Sequence, residues 1–169
     1  MTAAPSTSHI IGGISPKAIG SAANTDSGMP LEGGVQVRTT ILIVDDHEIV
    51  RHFVRTVICT SRPEWEVCGE ASNGKEAIEA VKALNPDVVI LDLAMPVMGG
   101  LEAAPQIGSL APKSRILIFT LYESERLLEE ARKAGVHGFV AKSQAGRDLL
   151  SAIETVESGG TFFSSQAGF

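Results

Sequence analysis

From Thr39 onward the chain alternates short apolar, β-rich runs with segments whose apolar residues recur at helical spacing, and it does so five times. No other feature restricts the fold as much. The extended runs fall at 39–44, 65–70, 87–91, 115–119 and 137–141. Between the first two, Ile49, Val50, Phe53, Val54, Val57 and Ile58 mark a helix; Ala77, Ile78, Val81 and Leu84 mark a second, opened by Gly74 and closed by Asn85-Pro86. A third, around 101–110, carries Pro105, which removes a donor and crowds the preceding turn, so only its first turn is expected to be firmly helical. Helices at 124–134 and about 147–158 complete the series, the last presenting Leu149, Leu150, Ile153 and Val156 on one face. Such alternation predicts an α/β fold with a parallel sheet and right-handed crossovers. Strands three and four are near-continuous apolar runs, as central strands covered on both faces should be. The doubly wound order 2-1-3-4-5 suits a chain this small. It is a three-layer, flavodoxin-like (βα)5 arrangement that puts its ligand site at the gap between strands one and three.

The run 88–91 ends on Asp92 and turns at Pro96, while the run 41–44 ends on Asp45 and Asp46. The chosen topology brings these three carboxylates to one sheet edge, with Thr120 closing strand four and Lys142 closing strand five. Each has an ordinary reading. Asp45 or Asp46 could cap the next helix, Asp92 could form an Asx turn, Thr120 could begin a turn, and Lys142 could be a solvated lysine. Four unrelated caps, however, need not fall at the ends of successive strands. Mg²⁺ takes hard oxygen ligands and keeps several waters, so Asp46, Asp92 and the Ala94 carbonyl would suffice to hold it. A carboxylate such as Asp92 can attack a phosphoryl group to give an acyl phosphate, with Lys142 and Thr120 stabilising the transferred charge.

Bulk properties limit the alternatives. The 169 residues suit one ordinary domain, and a net charge of -6 argues against a strongly basic nucleic-acid surface. No apolar stretch reaches the ~20 residues needed to span a bilayer and no secretion signal is legible, so a cytoplasmic protein is expected. Residues 1–37 hold only Lys17, Asp26 and Glu32 as charges, with Gly, Pro, Ser and Thr at 17 of the 37 positions, and read as a flexible tail. Ile10, Ile11 and Ile14 within it could dock weakly. Cys59 and Cys68 read as buried thiols without chemistry.

The string Val44-Asp45-Asp46-His47, the block Leu91-Asp92-Leu93-Ala94-Met95-Pro96 with Gly99-Gly100, Thr120-Leu121-Tyr122-Glu123 and Gly138-Phe139-Val140-Ala141-Lys142-Ser143 together resemble a bacterial response-regulator receiver domain. The likeness covers about 39–165, with the domain itself placed at 38–165 and a short end at 166–169. It implies phosphorylation of Asp92 by a histidine kinase or phosphotransfer protein, with Mg²⁺ on Asp46, Asp92 and the Ala94 carbonyl and Asp45 acting through water. It also implies a switch in which Thr120 moves inward and Phe139 follows, although Phe139 reads equally well as a core aromatic. Output would then pass through the face of helix four, strand five and helix five, with a homodimer on phosphorylation. Ala94 and Tyr122 occupy positions that tune phosphoryl loss in the family. Ser143 replaces the proline common after the lysine, and a trans peptide is expected there.

His47, Lys142-Ser143 and the closing 159–164 segment resemble the LuxR/NarL type, whose members usually continue into a helix-turn-helix. None is legible before Phe169, so direct nucleic-acid binding is not expected and signalling through a downstream protein partner is. A truncated or split transcription regulator is the alternative. An aspartate-dependent phosphatase would want a second Asp two residues after the first, where Ala94 stands. The chain is thus expected to perform only its own phosphorylation and dephosphorylation rather than turn over a substrate.

Overall fold

A computed structural model describes residues 37–164 of the chain. All but the last residue of the tail expected at 1–37, including Ile10, Ile11 and Ile14, and the end expected at 166–169 lie outside the described residues. The strands are β1 (Thr39–Val44), β2 (Trp65–Ala71), β3 (Val88–Leu91), β4 (Arg115–Thr120), β5 (Gly138–Ala141) and β6 (Phe162–Phe163). The helices are α1 (Glu48–Ser61), α2 (Gly74–Leu84), α3 (Gly100–Leu110), α4 (Glu125–Lys133) and α5 (Ala145–Glu157), the last preceded by a 3-10 turn at Lys142–Gln144. The sheet is parallel throughout, in the order β2-β1-β3-β4-β5-β6. The flavodoxin-like order expected from the sequence is therefore present, extended by one edge strand that the periodicity did not announce. Two residues are too few to show a period.

Every residue of β3 and β5 is buried, as are five of the six in β4. Alternate side chains feed two cores. One holds Leu42, Val44, Val89, Leu91, Ile116, Ile118 and Phe139 beneath α2, α3 and α4; the other holds Ile41, Ile43, Val88, Ile90, Leu117, Phe119 and Val140 beneath α1 and α5. Each fully buried Val, Leu, Ile or Phe stabilises by ~1.5–3 kcal/mol, which makes these two layers the main support of the site above them.

The local signals act as physical chemistry requires. Asn73 accepts the Glu76 amide at the start of α2, while Glu76 accepts the Ser72 amide and hydroxyl. Ser124 caps α4 through the Leu127 amide. Two expectations fail. Pro105 does not interrupt α3, which runs continuously because Ala103, Ala104 and Ile107 are clamped against the core while Pro105 faces solvent. Cys59 is exposed rather than buried: Val54 and Ile58 point inward, and the next residue is turned ~100° away. Cys68 is half-buried and is the extra residue of a bulge between β1 and β2, its thiol facing the Ile41 carbonyl at 3.4 Å.

Candidate functional site

The parallel ladders align the ends of β1, β3, β4 and β5, and the chain leaves each at the same edge. Asp45 follows β1 and is 2% exposed; its amide donates to the Ala71 carbonyl. Asp92 follows β3 and is 3% exposed, with its amide on the Val44 carbonyl. These main-chain bonds continue the sheet for one residue past the assigned strands and hold both acids at adjacent positions. Lys142 bridges them, its Nζ 2.5 Å from Asp45 Oδ2 and 3.4 Å from Asp92 Oδ2. Its side chain is only 8% exposed, so the solvated reading of Lys142 does not hold. Thr120, fully buried, ends β4 beside them.

Desolvation is the largest influence on Asp92 and pushes its carboxyl above the ordinary range. Lys142 opposes it, Asp45 reinforces it, and the Leu93 amide and Thr120 hydroxyl pull it back down. Asp92 Oδ1 accepts the Leu93 amide at 2.8 Å, leaving Oδ2 toward the lysine.

The capping reading for the acid pair is not what forms. His47 is the N-cap of α1 and makes no side-chain cap; Asp45 Oδ1 instead accepts the His47 amide at 2.9 Å. Among the described residues, ligand-capable atoms of Asp45, Asp46 and His47 lie within 4.8 Å of one another. His47 Nδ1 sits 2.9 Å from Asp46 Oδ1. The sequence pairs Asp46 with Asp92 and gives His47 no ligand role; in the structure His47 joins Asp45 and Asp46, and Asp92 stands outside this trio. Two buried carboxylate oxygens, Asp45 Oδ2 and Asp46 Oδ1, make no aligned hydrogen bond, the second although the His47 ring lies 2.9 Å away. The first has the Lys142 ammonium at ion-pair distance but not in hydrogen-bond alignment. Buried hard oxygens without aligned hydrogen bonds, in a cluster of three carboxylates and one lysine, fit a divalent cation of the Mg²⁺ kind.

The loop after Asp92 is tightly built. Gly100 donates to the Leu93 carbonyl, and a Cβ at Gly100 would overlap the Asp92 carbonyl oxygen, so glycine lets α3 start directly against the acid. Met98 donates to the Pro96 carbonyl across Val97, which has φ 69°; this is a γ-turn with a β-branched residue in the left-handed region. Ala94 is exposed, two residues beyond Asp92.

Thr120 also makes the local turn that its ordinary reading anticipated, since its hydroxyl accepts the Tyr122 amide at 3.3 Å. Phe139 is fully buried and pairs with Ile118 across β4 and β5; Thr120 pairs with Ala141. Alternation puts Thr120 and Phe139 on the same face of the sheet, the one beneath α4. Sequence reasoning missed Arg51, whose side chain donates to the Asp45 carbonyl at 2.7 Å and to Glu70 at 3.0 Å. A lone arginine on a helix carries no signal of such a reach.

The fold and this cluster define the class, and comparison with known proteins agrees: residues 41–154 match the model of the response regulator receiver domain, and the chain belongs to that family. Its relatives are of the NarL and LuxR type. It is 37% identical over 124 residues to the nitrate/nitrite response regulator protein NarL of Escherichia coli K12, covering 73% of this chain and 57% of NarL. It is also 37% identical over 120 residues to the transcriptional regulatory protein LnrK of Bacillus subtilis, covering 71% and 54%. The chain thus spans little more than half the length of these relatives. Among solved structures, a LuxR-family two-component response regulator from Aurantimonas sp. SI85-9A1 superimposes with TM-score 0.70 at 37% identity, over 74% of this chain and 89% of that one. The isolated REC domain of RcsB from Salmonella enterica serovar Typhimurium, with the phosphomimetic BeF3-, gives TM-score 0.70 at 25% identity over 76% and 94%.

Proposed function

We propose that residues 38–165 act as the phosphoacceptor domain of a two-component relay, taking a phosphoryl group on Asp92 from a histidine kinase or phosphotransfer protein. The observation that carries this reading is Lys142 bridging Asp45 and Asp92 at the edge of the sheet, although the three lie far apart in sequence. Asp46, Asp92, the Ala94 carbonyl and, through water, Asp45 would hold Mg²⁺. When bound, the ion offsets carboxylate repulsion and neutralises charge on the phosphoryl oxygens.

Asp92 Oδ attacks phosphorus, the P–N bond of the donor phosphohistidine breaks, and the departing imidazole nitrogen keeps the electron pair. Lys142 then leaves part of its pairing with Asp92 to meet a phosphoryl oxygen, and the Thr120 hydroxyl turns to another. Hydrolysis breaks the acyl phosphate again, with Ala94 and Tyr122 bordering the approach of water. The chain's chemistry is confined to this gain and loss. Thr120 and Phe139 form the switch: a shift of the threonine vacates space on their shared face, and Phe139, lacking a hydroxyl, follows by packing alone.

The donor protein would seat beside Lys142, where an apolar groove of about 430 Å³ is lined by His47, Val50, Phe53, Phe119 and the exposed Ile49 and Leu121. Output passes to a protein partner through the α4-β5-α5 face, and phosphorylation favours a homodimer there, with β6 now part of that surface. Every described strand and helix belongs to the receiver fold, so no direct nucleic-acid contact is assigned. Among the described residues no helix is long and apolar enough to cross a membrane, in keeping with the cytoplasmic location we assign. A second reading, the input half of a split or longer transcription regulator, is favoured by the greater length of NarL and LnrK; the sequence downstream in the genome separates the two.

The test is incubation with a small phosphodonor and Mg²⁺, followed by intact mass. One phosphoryl adduct on the wild type, absent from Asp92→Asn and abolished by chelation, is expected. An adduct that survives Asp92→Asn would remove Asp92 from the role.

A further inference from the structure

The acid loop that follows β1 has no side-chain cap from its own helix, yet both peptide groups flanking Asp45 are held. The amide on one side donates to the Ala71 carbonyl at 3.1 Å, which is a continuation of the β1–β2 ladder. The carbonyl on the other side accepts from Arg51 Nη1 at 2.7 Å. Arg51 is 16% exposed and is fixed in turn, its Nε on Glu70 Oε2 at 3.0 Å, and Glu70 is held from its other oxygen by Arg55 at 2.7 Å. Burial raises the Glu70 carboxyl, but hydrogen bonds from Arg55 and Arg51 outweigh it and keep the group below its ordinary value, hence charged.

We propose that Arg51 is a positioning residue for the metal loop: by clamping the Asp45–Asp46 peptide plane to the end of β2, it sets where the Asp46 carboxylate stands and so the affinity for Mg²⁺. The inference rests on the receiver reading above and deepens it. A guanidinium suits this better than an ammonium, because Nε and Nη1 are separate donors in one rigid plane, whereas an ammonium offers a single rotatable point on a flexible stem. Charge alone acts in the opposite sense. A cation beside an acidic cluster repels Mg²⁺, so a purely electrostatic Arg51 would, on removal, leave binding tighter.

Isothermal titration of Mg²⁺ into the full chain separates these effects. Arg51→Gln is expected to weaken Mg²⁺ binding about tenfold, in the range found for lost outer-shell partners of metal ligands. Arg51→Lys, which keeps the charge, should weaken it nearly as much. Arg55→Gln makes the same charge change and also loses a hydrogen bond to Glu70, to its other oxygen, without touching Asp45, and should bind as wild type or slightly tighter. If Arg51→Gln impairs folding, as judged by circular dichroism, Arg51→Lys and Arg55→Gln still decide the matter. Unchanged or tighter binding by the Arg51 variants, or equal weakening by Arg55→Gln, overturns the proposal while leaving the receiver reading intact. A wild type that binds no Mg²⁺ overturns both.

Discussion

Lys142 is the most informative residue to remove. Its ammonium lies between two nearly buried carboxylates, 2.5 Å from Asp45 and 3.4 Å from Asp92. At an effective dielectric of about 20, unit charges at those separations attract by roughly 7 and 5 kcal/mol. The net loss on replacing lysine with methionine is smaller, because the ammonium no longer has to be desolvated and one of the bereft acids can take up a proton. Breaking one side of a buried ion pair usually costs ~3–5 kcal/mol, and the lower end applies where protonation offers relief. Lys142→Met is therefore expected to lose about 3 kcal/mol in chelator near pH 7.5, read by urea denaturation and as a drop of about 10 °C in thermal midpoint. The pH dependence gives the sharper test. Without the lysine the Asp92 carboxyl loses the charge that holds it down and is pushed further up, and a carboxyl raised in the folded state adds stability that is present at low pH and lost as pH rises through the raised value. Acidification toward pH 5 should then narrow the gap to wild type, and Asp92→Asn placed on top of Lys142→Met should recover at least half of the loss. A Lys142→Met protein within ~0.5 kcal/mol of wild type, or one that falls further behind on acidification, would refute the reasoning.

Other perturbations follow from the same structure. Because burial above all raises the Asp92 carboxyl, its stabilising protonated form is present below the ordinary range and lost as pH rises, so Asp92→Asn should exceed wild type in stability near neutral pH without Mg²⁺. That advantage should close toward pH 4 in parallel melts. His137 Nδ1 accepts the Ile116 amide at 3.1 Å, and burial, then Arg115, hold the imidazole below its ordinary 6.5. The unfolded chain thus binds the proton first, and stability should decline as pH falls below about 6.5, a decline that His137→Asn should flatten. Val97→Gly relieves ~1–2 kcal/mol of left-handed strain against ~0.5–1 kcal/mol of added chain entropy, and should raise stability by about 0.5–1 kcal/mol in urea. Phe163 packs on the core and under Arg132, 4.4 Å from its ring; being half-buried, Phe163→Ala should cost ~1–2 kcal/mol rather than the ~3–5 of a fully buried phenylalanine. Exchange of the Phe162 and Ser164 amides, which donate to His137 and Phe139, should quicken in that variant.

What the sequence revealed and what it concealed divide along physical lines. Strand β1 and the opening of α2 at Gly74 were legible to the residue, because apolar runs and capping side chains act within a few positions of themselves. The meeting of Asp45, Asp92, Thr120 and Lys142 was legible only through topology: a parallel sheet delivers the carboxyl ends of its strands to one edge whatever lies between them. Pro105 misled because propensity was weighed without the buried alanines that hold α3 down. Strand β6 stayed hidden because two phenylalanines have no period, and Arg51 because its partners lie in another element. His47 was read as a family mark, whereas its ring folds onto Asp46, a contact that depends on a loop geometry no pattern encodes.

The site's excess of negative charge ties these observations together. Asp45 and Asp92 share one lysine, Asp46 has the His47 ring beside it, and one buried oxygen each of Asp45 and Asp46 makes no aligned hydrogen bond. Such an arrangement is costly, and the two apolar layers beneath it are what allow the fold to tolerate it. A cation relieves the imbalance, which is why the cluster should bind one. A phosphoryl group would restore it, adding about -1.5 to -2 charges beside Lys142 and Thr120. Moving a two-state element from 1:99 to 99:1 needs ~5.5 kcal/mol of preference, a sum within reach of charges at 2.5 to 3.4 Å in a poorly solvated pocket. Thr120 and Phe139 share one face of the sheet, and the Phe139 carbonyl accepts the Ser164 amide beyond β6, so a rearrangement at the acid edge has a short packed route to the last described residue of the chain.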